Sequence, residues 1–149
     1  MIKAPHTYAE WVEVLTLLKN KSDDKEVLKA MKSGSLEWQS GVAERFSGKL
    51  IQAVNTRMDA AVKQFQTALS RAGGQGGDVE RAILALRKEM AFLLQAVDLG
   101  VIPEDIRKEY IRMVREQADG MQKSLQESAK ADKTGRLASI IRNHKVNSI

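Results

Sequence analysis

Cysteine is absent from this chain, which excludes a disulfide framework, a thiolate zinc site and a cysteine nucleophile. Only two prolines are present, aromatic residues make up 5% of the chain and β-branched runs are few, a balance that favours helix over strand. No apolar run approaches the roughly 20 residues of a membrane-spanning helix. The opening MIKAPHTYAEW lacks the apolar core of a secretion signal. The expectation is a soluble cytoplasmic protein.

Signatures of chemistry are equally scarce. The two histidines, His6 and His144, lie near opposite ends and belong to no HExxH or ExxH spacing, so no metal site is inferred. The acidic pairs Glu10 with Glu13, Asp23 with Asp24 and Asp105 with Glu109 all fall at helix starts or on polar faces. Catalytic carboxylates need a cleft that shifts their proton affinity, and the sequence offers no sign of one. The run Gly73-Gly74-Gln75-Gly76-Gly77 has neither a Gly-Lys-Ser/Thr ending nor a preceding strand, so it reads as an inter-helix turn rather than a phosphate cradle. No catalytic residue, cofactor-binding residue or small-molecule substrate is expected.

What is present is helical periodicity. Thr7-Tyr8-Ala9-Glu10 has the form of a capping box, and Tyr8, Trp11, Val12, Leu15 and Leu18 follow at helical spacing. Ser22, Asp23 and Glu26 mark a second start, Val27, Leu28 and Met31 its apolar face, and Gly34 a left-handed terminator. From about Ser40 to Ala72 an apolar stripe runs from Ala43 through Phe46, Leu50, Val54, Met58, Ala61 and Phe65 to Leu69. That predicts one helix roughly 45 Å long. Asp78 is placed to cap the next helix, whose stripe is Val79, Ile83, Leu86, Met90, Leu93 and Val97, flanked by Leu84, Phe92, Leu94 and Leu99. Gly100 ends it. Pro103-Glu104-Asp105 starts a fifth segment lined by Ile106, Tyr110, Val114, Ala118, Met121, Leu125 and Ala129, with Glu104 and Lys108, and Asp119 and Lys123, as pairs four apart on its wet face.

The chain of 149 residues fits one domain. The predicted fold is all-α: a helical bundle of three long antiparallel helices, two shorter N-terminal helices and a short C-terminal helical segment. The divisions drawn along it are 1–34, 40–130 and 131–149.

Charge and apolar residues meet at the C-terminus. The net charge is +5, and Ser128–Ile149 contributes Lys130, Lys133, Arg136, Arg142 and Lys145 against Asp132 alone. Leu137, Ile140 and Ile141 interrupt these cations, which argues for packing rather than a free phosphate-neutralising arm. The segment from Leu137 to Ile141 is expected to close the core or an interface, and Asn143 to Ile149 to fray. Arg136-Leu137-Ala138-Ser139 has the basic-x-x-Ser form some kinases accept, a match frequent by chance. Upstream, Trp38 and Phe46 bracket a polar step, either stapling a helix entrance or forming an aromatic anchor.

The function expected is that of a non-enzymatic interaction or regulatory protein, acting through a surface on a partner protein or a second copy of itself. The candidate contact residues are Trp38, Phe46, Arg136, Leu137, Ile140, Ile141 and Arg142. The alternative is a nucleic-acid-associated protein using Arg45, Lys49, Lys63 and Arg71 with the tail, although those four do not share one narrow helix face. An enzyme with an unrecognised site ranks third.

Overall fold

The computed structural model describes residues 2–39, 41–72 and 76–149, and their side chains except at 71, 72 and 76–78. Among the described residues six helices follow in order: α1 (Tyr8–Lys19), α2 (Asp24–Ser33), α3 (Val42–Ala72), α4 (Gly76–Val97), α5 (Glu104–Ala131) and α6 (Arg136–Asn143). The chain is all-α, with 76% of residues in helix and no strand among the described residues, which leaves the rest for caps and short connections. No described helix is long and apolar enough to cross a membrane.

The termini follow the local chemistry. The Thr7 side chain accepts from the Glu10 N–H and the Glu10 carboxylate accepts from the Thr7 N–H, completing the capping box of α1. Asp23 caps α2 by accepting from the Glu26 N–H. α5 begins at Glu104, with the Pro103 carbonyl accepting its first intrahelical bond from Arg107.

Three expectations change here. Gly34 ends α2 in an extended conformation (φ −78°, ψ 168°), not a left-handed one. Its lack of a side chain serves packing: a Cβ there would lie 2.7 Å from Trp11 Cζ2 and 2.8 Å from the Pro5 carbonyl oxygen. Gly34→Ala is therefore expected to lower stability by about 1–3 kcal/mol, as overpacking does, read from the urea midpoint; an unchanged midpoint would contradict this packing. The second change concerns the glycine run. Gly73, Gly74 and Gln75 lie outside the described residues, while Gly76 and Gly77 belong to the first turn of α4, so Asp78 lies inside that helix instead of capping it. Glycine costs a helix most in its interior and less at an end. The third is the polar pair on α5. Glu104 and Lys108 do pair, at 3.1 Å, but Asp119 takes a hydrogen bond from the Asn147 side chain near the chain end.

Contacts divide the chain into two compact units. The first comprises residues 1–57 and 95–108. Its core is made by Trp11, Val14, Leu15 and Leu18 of α1, Val27 and Met31 of α2, Phe46, Leu50 and Val54 of α3, and Leu99 and Ile102. Arg57 is buried among them, and its guanidinium donates to both carboxylate oxygens of Asp24 (2.8 Å each) and to the Leu18 carbonyl (3.0 Å). One cation thus serves the last turn of α1 and the first residue of α2, matching a positive charge to a helix C-terminus.

The second unit comprises residues 58–94 and 109–149. Met58, Ala61 and Phe65 of α3, Val79, Ile83, Leu86, Met90 and Leu93 of α4, and Tyr110, Val114, Ala118, Met121 and Leu125 of α5 are all buried, as their spacing predicts. Leu84, about 100° of helical turn from Ile83, is exposed. Ile141 of α6 and Val146 beyond it complete this core.

Candidate interaction surface at the C-terminal helix

α6 is placed by a short polar turn. α5 ends at Ala131, and Asp132 folds back on the residues after it. Its carboxylate accepts from the Thr134 N–H (3.1 Å), the Thr134 hydroxyl (2.8 Å) and the Leu137 N–H (3.1 Å). Gly135 precedes α6 in a left-handed conformation (φ 73°), which glycine adopts without steric penalty. Glycine has no side chain with which to cap, so Asp132 satisfies an orphan amide of the first turn from three residues upstream.

The Leu137 N–H first, and then Thr134, hold the Asp132 carboxyl below the usual aspartate range. A carboxyl whose affinity for protons falls on folding stabilises the folded form above its unfolded pKa, and that contribution is lost as pH falls through the lower folded value. Asp132→Ala should therefore raise amide exchange along α6 at pH 7. The difference from wild type should fade as pH falls below about 4. A difference that persists unchanged into strong acid would contradict the capping role.

The turn and α6 form one wall of an open cleft. Leu69 of α3, Val79 of α4, Ser128 of α5, and Asp132, Arg136, Leu137 and Ile140 line a space of about 350 Å³. That is near the lower end of the volumes that hold small ligands, large enough for one or two inserted side chains. Its surface is mainly aliphatic, and Arg136 stands exposed at its edge with Lys130, Lys133 and Arg142 exposed along the same segment. Among the described lining residues Asp132 is the acid, its carboxylate engaged by three donors, and Arg136 is the cation.

The seven candidate residues divide between the two units and between surface and core. Arg136, Leu137 and Ile140 come together at the cleft, and Arg142 is exposed on the same helix. Ile141 is buried at 6% exposure and has almost no surface to offer a partner. Phe46 is wholly buried: its ring meets those of Trp11 and Trp38 edge to face, with centroids 5.2 and 5.3 Å apart. Trp38 is half-buried, and its indole N–H donates to the Val101 carbonyl at 2.7 Å. The aromatic pair therefore staples the entrance of α3, because edge-on aromatic contact and a satisfied indole N–H favour the interior. Among the basic residues considered for nucleic acid, Arg45 lies over the Tyr8 ring, Lys49 and Lys63 are exposed, and the side chain of Arg71 lies outside the described residues.

The chain end departs from the expected fraying. Val146 is fully buried, its N–H donates to the Gln122 side chain at 2.8 Å, and Asn147 donates to Asp119. His144 Nε2 lies 2.9 Å from the Glu80 carboxylate. Burying one valine is worth about 2 kcal/mol, enough to hold a short segment that also gains hydrogen bonds.

Sequence reasoning missed Asp132 and Gln122. Asp-x-Thr-Gly is a turn signature, and Gln122 lies beside Met121 at the helical position four after Ala118, on the edge of the apolar stripe. Ser139 of the basic-x-x-Ser match is exposed. Among the described residues, no group of three or more His, Asp or Glu side chains is placed to hold a metal ion. Comparison with protein-family models, with curated proteins and with solved structures found no match.

Proposed function

We propose that this chain is a non-enzymatic interaction protein that holds a partner protein through the α6 cleft. The single observation that supports the reading is an open, mainly aliphatic cleft with Arg136 exposed in its lining, built from α3, α4, α5 and α6 within one unit. Apolar walls reward an inserted side chain, and rim charges select what flanks it. The partner fits as an amphipathic segment with an aliphatic residue in the cleft and an acidic residue beside it, facing Arg136. A cytoplasmic setting suits a chain without cysteine.

A synthetic amphipathic helix with leucine on one face and glutamate on the other is the test ligand. Saturable binding is expected, weakened about tenfold or more by Leu137→Asp, weakened by Arg136→Glu, and reduced by added salt. Absence of binding, binding indifferent to both substitutions, or a specific turnover by the purified protein would contradict the reading. Binding of DNA or RNA with a steep salt slope, unaffected by Leu137→Asp, would favour the nucleic-acid alternative.

A further inference from the structure

Gln122 stands out in the second unit as a buried polar side chain on the apolar face of α5, between Met121 and Leu125 and 5% exposed. Its Oε1 accepts the Val146 N–H. Its Nε2 is also buried and has no hydrogen-bond partner among the described residues. A buried donor without an acceptor costs free energy, and such groups are uncommon enough to require a reason. A carboxamide presents one acceptor and two donors in a plane. It can therefore take an N–H from a docked main chain and give an N–H to one of its carbonyls. The tail supplies the first contact and not the second.

The rest of the tail is also held as a ligand would be. After α6 its backbone–backbone hydrogen bonds are local, from His144 N–H to the Ile140 carbonyl and from Ser148 N–H to that of Lys145. Its anchorage is one buried aliphatic side chain, Val146, with polar contacts on either side: His144 to Glu80 and Asn147 to Asp119. Both groups on the receiving side are carboxylates.

We propose that the groove around Gln122 is a receptor for a short, turn-forming peptide segment of a partner protein, and that the chain's own tail, which turns at Val146 and Asn147, is its resident, displaceable occupant. The segment carries one valine-sized aliphatic residue, flanked by basic or amide side chains that suit Glu80 and Asp119. It also offers Gln122 Nε2 the carbonyl that the tail withholds. This goes beyond the α6 cleft, whose lining does not include Gln122 and whose preferred partner is acidic.

The experiment uses the full chain carrying Val146→Asp, which expels the tail, and the hexapeptide of residues 144–149 labelled at its N-terminus. Saturable binding is expected, at least about tenfold tighter than to wild type, where the tethered tail competes at an effective concentration on the order of millimolar. Adding Gln122→Leu should weaken binding about tenfold. Replacing the peptide's valine by aspartate should abolish it. Among hexapeptides with valine fixed and flanks varied, those with lysine, arginine or asparagine should displace the wild-type tail, read as faster exchange of the Val146 N–H at unchanged exchange of Val114. Those with glutamate flanks should not.

If the Val146→Asp chain loses its helical circular dichroism, the wild-type exchange measurement decides alone. The proposal is overturned by a folded Val146→Asp chain that does not bind the hexapeptide, by affinity indifferent to Gln122→Leu, or by a Val146 N–H that exchanges only together with Val114.

Discussion

Replacing Asp24 by alanine is expected to destabilise the protein by about 3 kcal/mol, near the lower end of the range for removing one partner of a buried ion pair. The Arg57 guanidinium is 1% exposed, whereas the Asp24 side chain is 40% exposed, so water reaches the carboxylate side of the pair and softens the loss. With Asp24 removed, the cation keeps the Leu18 carbonyl but loses two charge-assisted bonds in a setting where a charge is poorly solvated. Arg57→Met removes the charge itself and keeps an apolar stem of similar length. The double variant Asp24→Ala, Arg57→Met should therefore be more stable than Asp24→Ala alone. A double-mutant cycle from urea unfolding measures this coupling. A loss below about 1 kcal/mol for Asp24→Ala would mean that the pair behaves like an exposed one.

The second large effect belongs to Phe46. Its truncation to alanine should cost about 3–5 kcal/mol, because a wholly buried ring leaves a cavity and two edge-to-face contacts disappear with it. Phe46→Leu keeps most of the volume and should cost less than half as much. Near-ultraviolet circular dichroism should weaken in both, since each removes an aromatic neighbour from Trp11 and Trp38. A stable Phe46→Ala variant with an unchanged aromatic spectrum would return Phe46 to the surface and revive the aromatic region as a contact site.

These two cases show where the sequence was readable and where it was not. The stripe through Phe46, Leu50 and Val54 and the one through Val114, Ala118 and Met121 emerge from spacing alone, because a helix must hide whatever recurs once per turn. Arg57 could not be found that way. It sits one residue before Met58 on the buried face of α3, and nothing local announces that Asp24, 33 residues earlier, will meet it. Phe46 was legible as part of its stripe, but whether its ring faces this chain's own core or a partner was not, since an aromatic near a helix start serves either. Its neighbours Trp11 and Trp38 decide the matter only once the chain has folded.

The tail illustrates the same boundary. Leu137, Ile140 and Ile141 announce a packed helix, whereas the lone Val146 between Lys145 and Asn147 carries too little local pattern to reveal its burial. Its partner lies elsewhere, in the glutamine beside the α5 stripe that accepts the Val146 N–H. Asp132 was similarly counted only as a charge, although its bonds to Thr134 and Leu137 set where α6 begins.

Both the α6 cleft and the Gln122 groove require the C-terminal segment to be part of the folded unit. Amide hydrogen exchange at Val146 tests that directly. The bond to Gln122 Oε1 and complete burial predict exchange slowed by at least about tenfold relative to an unstructured peptide, and restored to the peptide rate by Gln122→Leu together with Val146→Asp. A Val146 N–H that exchanges at the unstructured rate in the unaltered protein would contradict the account.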